Sequence, residues 1–408
     1  MGAEAPLERT VLVAGAGPVG LTAALALRAR GLAVTVLEAG PAGRARPGSR
    51  AIFYHRQTME HWEKISPGLG WSVARAGLVC STKRTFWGER QVFERTYQPP
   101  SAAVLPHATH LAQGDLEALM HEACQASGVE FAWDQQVTGA RADGAGVLVE
   151  VAGGRRWRAG YVVGADGPRS VLREAAGVTM EGSRSESAFV IVDVAEDPQR
   201  PLRPERVYYY AHPAAGRRHV LLVPFAGGWR ADLMLRQADD PQAYTDPGRV
   251  ARFVGQVLPE RYAQRVTWVS TYRFLQVVAS SFTDPSHRIL LAGEAAHLFA
   301  PFGARGLNSG VPDAVCAAAA IAAALDADRP ADAARAVAGF AGQRRAAALY
   351  NRDSAALALT HMRANGARIR VRRRLAAELA LRGGRAAAWL DSSPFGPKAA
   401  ARGTDEIY

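Results

Sequence analysis

Apolar and polar positions follow two rhythms along this chain, and the change between them divides it. Near the start, Thr10–Ala14 is a short β-branched and apolar run and Gly15–Gly20 is a glycine-rich turn. Leu21–Arg30 has helical character closed by Gly31, and Val34–Leu37 is a second apolar run ended by Glu38. This order predicts strand, tight turn, helix and strand, one unit of a parallel sheet, with Gly31 as the helix stop. Residues 114–127 predict a second amphipathic helix, with Asp115 near its start and Gly128 at its close, followed by strands around Val147–Val151 and Tyr161–Val163. From about residue 180 to 280 the pattern turns to long β-prone stretches: Phe189–Val194, Arg206–Ala211, His219–Phe225, Trp229–Leu235 and Thr267–Phe274. Gly216 and Gly227-Gly228 read as hairpin-like turns between some of them. After one more buried strand, Arg288–Ala292, the chain is alanine-rich and helical to about residue 382.

The predicted fold class is therefore α/β: a Rossmann-like nucleotide-binding domain with a parallel sheet, interrupted by a β-rich insert and completed by C-terminal helices. The expected boundaries are 1–179 and 281–350 for the two parts of the nucleotide-binding domain, 180–280 for the insert, and 351–408 for a helical segment and tail.

Charge and composition change this picture little. The net charge of +11 is concentrated: residues 363–385 hold eight arginines against Glu378 alone. Arg370, Arg372, Arg373 and Arg374 have no interleaved aromatics for base stacking, so they read as a solvated helix face and no nucleic-acid partner is expected. Cys80, Cys124 and Cys316 are odd in number and far apart, which suits neither a disulfide framework nor a metal site and points to a reduced, cytoplasmic protein. The uncharged residues 11–27 follow Arg9 as in a signal peptide, but Gly15, Gly17, Pro18 and Gly20 interrupt them. Ala314–Leu325 falls short of the roughly 20 residues of a membrane span, so none is expected.

Three motifs carry chemistry. In Gly15-Ala16-Gly17-Pro18-Val19-Gly20, glycines let the backbone turn sharply and approach a pyrophosphate seated on helix N-terminal amides. Glu38 closes the next strand, where it can accept hydrogen bonds from ribose hydroxyls. At this point FAD and NAD are equally good ligands. The second motif is Tyr161-Val162-Val163-Gly164-Ala165-Asp166-Gly167-Pro168-Arg169-Ser170-Val171-Leu172-Arg173, in which a strand delivers Asp166 to a Gly-Pro turn and Ser170 can cap the next helix. The third runs from Arg288 through Gly293-Glu294-Ala295-Ala296-His297 to Pro301-Phe302-Gly303-Ala304-Arg305-Gly306-Leu307-Asn308-Ser309-Gly310 and Asp313.

The second and third motifs closely resemble those of the flavin-dependent aromatic hydroxylases, the para-hydroxybenzoate hydroxylase class, and the resemblance extends to about residue 350. It implies FAD as cofactor, held by Gly15, Gly17, Gly20, Glu38, Asp166, Glu294 and the backbone amides of Gly306, Leu307 and Asn308, which would face the flavin N1–C2=O edge. Glu294 stands where the family has Asp on the ribityl chain. Arg50, in Ser49-Arg50-Ala51, and Gln113 match further family contacts to FAD. The implied activity is monooxygenation with NADPH or NADH and O2, through a flavin C4a-hydroperoxide, of an aromatic or polyketide-like small molecule. Epoxidation, Baeyer–Villiger insertion, or a flavin-binding partner protein without catalysis remain alternatives on the same motifs. A halogenase fits less well: no two tryptophans are two residues apart, and the only lysines are Lys64, Lys83 and Lys398.

The substrate is expected between the insert and the flavin, with Tyr208, Tyr210, His219, Phe225, Trp229, Tyr272 and Phe274 as wall residues. Arg50, Tyr210, His219 and Tyr272 are the catalytic candidates, one Tyr or His serving as base toward a phenol. His297 is expected to be structural. A monomer or homodimer is expected, without the C-terminal thioredoxin-like domain that many family members carry.

Overall fold

A computed structural model describes residues 6–43, 51–143 and 145–397, without the side chains of residues 185–187, 272 and 382. The predicted opening unit is present as β1 (Leu7–Ala14), α1 (Pro18–Arg28) and β2 (Val34–Leu37). A short ribbon and helices follow: β3 (Phe53–His55), α2 (Arg56–Ile65), α3 (Leu69–Ala76), β4 (Thr82–Trp87), β5 (Arg90–Thr96), β6 (Ala108–His110) and α4 (Gln113–Ala126). Then come β7 (Glu130–Ala132), β8 (Val137–Ala142), β9 (Val147–Val151), β10 (Arg156–Gly164) and α5 (Val171–Ala175). The long β11 (Met180–Ala195) opens the second half, with β12 (Glu205–His212), β13 (Arg218–Phe225), β14 (Gly228–Met234), α6 (Pro247–Val257) and β15 (Val266–Ala279). The chain ends with β16 (Ile289–Leu291), β17 (His297–Leu298), α7 (Arg305–Leu325), α8 (Pro330–Arg363), α9 (Ala367–Leu379) and α10 (Gly384–Ser392).

The first sheet has the order β7-β2-β1-β10-β9-β8. Strand β10 carries two partners on one edge: residues Arg156–Ala159 pair antiparallel with β9, and Val162–Gly164 pair parallel with β16. That arrangement lets the last strand of the nucleotide-binding domain, 125 positions downstream of β10's end (289 against 164), return beside it. Both faces of the parallel core are covered, so Val11–Ala14, Val34–Leu37 and Ile289–Leu291 are unbroken buried runs rather than alternating ones, apolar throughout except for Thr35.

The second sheet has the order β17-β15-β11-β14-β13-β12-β4-β5. It is wider than residues 180–280 supply. Strands β4 and β5, from within the stretch assigned to the first domain, extend it through the parallel pairing of Glu205–Tyr210 with Thr82–Trp87. The alternation along β11, β13 and β14 sends Val190, Val192, Val194, Val220, Leu222, Ala231 and Leu233 to one face under α6. The opposite, inner face carries Phe189, Tyr208, Tyr210, Met234 and Phe274, packed with Phe302 against α8–α10. Helix α8 runs unbroken across the boundary expected at residue 351.

The fold departs from the expected solvated arginine face and from the expected short apolar stretch. Arg373 is not part of a solvated face: it is buried, 4.9 Å from the Tyr210 ring, and donates to the carbonyls of His361 and Met362. The apolar stretch ending at Leu325 begins nine residues earlier, at Arg305, giving a 21-residue helix long enough to cross a membrane. Its most apolar window is 67% buried within the protein, where α7 packs against α1 and α8 as a core helix.

Candidate functional site

The carboxyl ends of β1, β10 and β16 meet at one point, and glycines make the meeting possible. Gly15 has φ +98° and donates to the Leu37 carbonyl at 2.8 Å; a Cβ there would lie 2.4 Å from the Ala165 carbonyl oxygen. A Cβ at Gly20 would lie 1.9 Å from the oxygen of Gly15. Ala165 in turn donates to Ala14 and Ala292 to Gly164, so the first, second and third motifs are stitched backbone to backbone. Arg173 adds a side-chain tie, donating to Ala295 O and Pro168 O at 3.2 Å each. This is the crevice at the strand ends where open α/β sheets hold ligands.

Around it, Gly17 caps α1 with φ −80° and ψ 174°, a conformation open to any residue, so its requirement is for space rather than backbone freedom. It offers no side-chain cap, which leaves the first-turn amides of α1 facing outward. Glu38 is buried, accepting from Ala16 N at 2.8 Å and from Gly40 N at 3.1 Å, which fixes its carboxylate against the turn. Gln113 accepts from Ala51 N at 3.4 Å and donates to Glu117. Arg50 lies outside the described residues.

Asp166 accepts from Leu172 N at 3.1 Å, and Ser170 caps the same helix by accepting from Arg173 N at 2.9 Å. Burial pushes the Asp166 carboxyl up, against hydrogen bonds from Ser170 and Leu172. Glu294 is exposed on the short turn Gly293–Ala295, beside the crevice. Asp313 holds that turn: it accepts from Gly293 N at 3.2 Å, from His297 Nε2 at 2.7 Å and from Arg344 Nε at 2.7 Å, all buried. Gly306, Leu307 and Asn308 form the uncapped first turn of α7, and nothing lies within 4 Å of where a Gly306 Cβ would be. The Asn308 side chain is a structural stitch: it accepts from His55 N and Thr58 Oγ1 and donates to Phe53 O and Ala304 O.

The catalytic candidates are placed differently. Tyr210 Oη lies 2.7 Å from both the Leu390 carbonyl and His361 Nε2, and His219 Nε2 lies 3.0 Å from Met362 O. Both side chains are thus engaged by the C-terminal helices, and burial with the nearby Arg373 charge drives His219 down to about 3. Trp229 points to the outer face and donates to Glu196 Oε2. The side chain of Tyr272 lies outside the described residues, while its backbone pairs with Phe189. Tyr208 and Phe274 are on the inner face, Tyr208 with a buried Oη that has no hydrogen-bond partner.

Sequence reading missed the polar residues of that face. Asp193 and Arg230 pair by two bonds of 2.7 and 2.8 Å, and Asp232 stands two positions further along β14. Arg206 of β12 stacks on Phe53 at 5.0 Å and on Phe395 at 4.3 Å. In a strand that alternates Trp229, Ala231 and Leu233 with Arg230 and Asp232, the charged positions read as a solvated face; only the packing of the ribbon β3–β6 and the C-terminal helices over it shows otherwise.

The residues fit a dinucleotide on direct observation: two glycines whose Cβ atoms would strike backbone, a buried carboxylate fixed at the turn, and two helix starts without side-chain caps. Residues 8–335 match the family model described as FAD binding domain. A 3-(3-hydroxy-phenyl)propionate/3-hydroxycinnamic acid hydroxylase from Mycobacterium avium (strain 104) is 29% identical over 327 residues, 75% of this chain and 53% of that protein. The 6-methylpretetramide 4-monooxygenase of Streptomyces rimosus is 32% identical over 322 residues, 74% of this chain and 54% of its own. The chain thus spans about half the length of these relatives. The crystal structure of p-nitrophenol 4-monooxygenase from Pseudomonas putida DLL-E4 superposes with a TM-score of 0.78 at 24% identity, covering 97% of this chain and 100% of that one.

Proposed function

This chain belongs to the FAD-binding domain family, and on that premise we propose that it is an NAD(P)H- and O2-dependent monooxygenase that hydroxylates an aromatic or polyketide-like small molecule. The observation that carries the reading is the junction of three motifs at one glycine-lined crevice, facing a sheet whose inner surface is aromatic and covered. When bound, FAD supplies the electron transfer from NAD(P)H and the activation of O2. The residues that would hold it are Gly15, Gly17, Gly20 and Glu38 at the first turn, Glu294 at the third motif, and the first-turn amides of α7, whose positive helix end favours negative charge on the ring. The chain's own contribution beyond binding is shielding: the C-terminal helices close the inner face of the second sheet from water.

The test is incubation of the FAD-loaded chain with NADPH or NADH and a panel of phenols. Oxygenated products are expected by mass spectrometry, with faster flavin reduction when the productive phenol is present. Rapid NAD(P)H oxidation to peroxide with every phenol, and no oxygenated product, would overturn the reading.

A second expectation arises from Glu294, the acid that replaces the family's Asp. Glu294→Ala should weaken FAD about tenfold, the scale for stranding a hydrogen-bond partner, and Glu294→Asp should bind as the natural chain does. Unchanged FAD affinity in the alanine variant, measured by equilibrium titration, would place the acid's role elsewhere.

A further inference from the structure

Among the described residues, the acids on the inner face of the second sheet that pack against other side chains include two with partners and one without. Asp193 is held by Arg230, and Asp391 of α10 accepts from Lys83 at 2.9 Å and Thr85 at 2.8 Å. Asp232 Oδ1 is buried and has no hydrogen-bond partner. Strand register places Asp232 between Ile191 of β11 and Leu221 of β13, and Leu221 opposite Tyr208 of β12. Arg206, two residues before Tyr208 and so on the same face, also has an unpartnered atom, Nε. Unpaired buried polar groups are costly, and several converging on one face mark a place built for a ligand.

Accessible surface points the same way. Phe53, His55, Arg206, Leu221 and Asp232 are each only half-buried, so each borders accessible space. That space adjoins the cofactor crevice through β3: His55 Nε2 donates to Gly303 O at 3.1 Å, and Asn308 of α7 binds the backbone of Phe53 and His55. The Arg206 guanidinium lies over Phe53 on the other side. An aromatic ring seated there would have the third motif at one edge and Asp232 with Arg206 at the other.

We propose that Asp232 is a catalytic residue that receives the proton of a phenolic hydroxyl, with Arg206 beside it holding the resulting phenolate. This rests on the reading of the chain as an oxygenase of aromatic molecules. The substrate O–H bond breaks, the proton passes to Asp232 Oδ, and the electron pair stays on the phenolate oxygen, which enriches the ring for oxygenation. The proton returns to the product oxygen before release. Burial raises the Asp232 carboxyl to about 7, against the pull of Arg230 and Arg206, with Asp193 adding to the rise. A base near neutrality accepts and returns a proton with little driving force lost either way. Other titratable groups of the ribbon are Tyr54, His55 and His110; burial pushes the Tyr54 phenol up and the His110 imidazole down, which keeps both neutral.

The probes are 4-nitrophenol, whose phenolate absorbs visibly, and 4-nitroanisole, which has the same ring and no proton. With the FAD-loaded full chain, buffered below the solution pKa of 4-nitrophenol, the phenol should bind at least about tenfold tighter than the ether, as sites built for a hydroxyl reject analogues lacking one. Its difference spectrum should show the phenolate band. Asp232→Asn, isosteric and remote from the cofactor motifs, should keep its FAD, lose the band and cut the preference to less than about threefold. Asp232→Leu, which tolerates burial better if the amide misfolds, should do the same. Retention of both the preference and the band in the folded, FAD-loaded variants would overturn the assignment, as would a natural chain with neither. If the preference is present and depends on Asp232 but no phenol is ever oxygenated, the proton-accepting site stands and the proposed oxygenase activity fails.

Discussion

Gly15→Ala should give a folded but colourless protein. The residue sits at φ +98°, where a side chain costs about 1–3 kcal/mol in backbone strain. The larger effect is the collision: the new Cβ would lie 2.4 Å from the Ala165 carbonyl oxygen, an atom of the second motif that cannot swing away. The turn must move, and the same turn presents the amides and Glu38 to the cofactor. A loss of about a hundredfold or more in FAD affinity is expected, measured by fluorescence titration of apoprotein. Gly31→Ala provides the control. Gly31 also has positive φ, +77°, but nothing lies within 4 Å of its Cβ position. That variant should lose stability, about 1 kcal/mol, while retaining its flavin. Equal flavin loss in both would show that strain alone, rather than close backbone approach, governs the site. Full flavin retention in Gly15→Ala would remove the cofactor from this turn.

The opening strand–turn–helix–strand unit was readable from the chain because glycine spacing, apolar runs and helix stop are all local signals. Its helix begins at Pro18 rather than Leu21, since a proline fits the first turn of a helix. What local pattern could not supply was pairing between distant segments. Nothing in Thr82–Thr96 announces that it joins a sheet built mainly from residues after 180, because edge partners are chosen by tertiary packing. The same limit governs the substrate face. Tyr210 and His219 are chemically suited to act as bases, but Leu390, His361 and Met362 engage them from 143 to 180 residues away. Asp232 carries no sequence signature at all. Its distinction is a missing partner, and that is a property of three-dimensional packing.

Asp313→Ala should be the most destabilising single change near the crevice. Its carboxylate receives Arg344 Nε and His297 Nε2 at 2.7 Å each, with side chains of all three residues about 1% exposed. Burial alone would raise the Asp313 carboxyl, but the charges and hydrogen bonds of His297 and Arg344 outweigh it and hold the group below its ordinary value. Removing one partner of a buried pair strands the other charge, which costs roughly 3–5 kcal/mol. The guanidinium of Arg344 would be that stranded charge. A melting temperature lower by roughly 4–6 °C follows for a protein of this size. The sign with pH is fixed by the depressed carboxyl: its contribution is complete above the unfolded-state pKa of about 4 and is lost as pH falls through the lower folded value. The gap between natural chain and variant should therefore be widest at neutral pH and narrow in acid. Because Asp313 also holds Gly293 N, FAD should bind more weakly to the variant, and Asp313→Asn, which keeps an acceptor for that amide, should recover part of the affinity. Thermal melts of the apoproteins separate the two effects. An Asp313→Ala apoprotein that melts with the natural chain across the pH range would show that Arg344 finds another partner and that the carboxylate is dispensable to the fold.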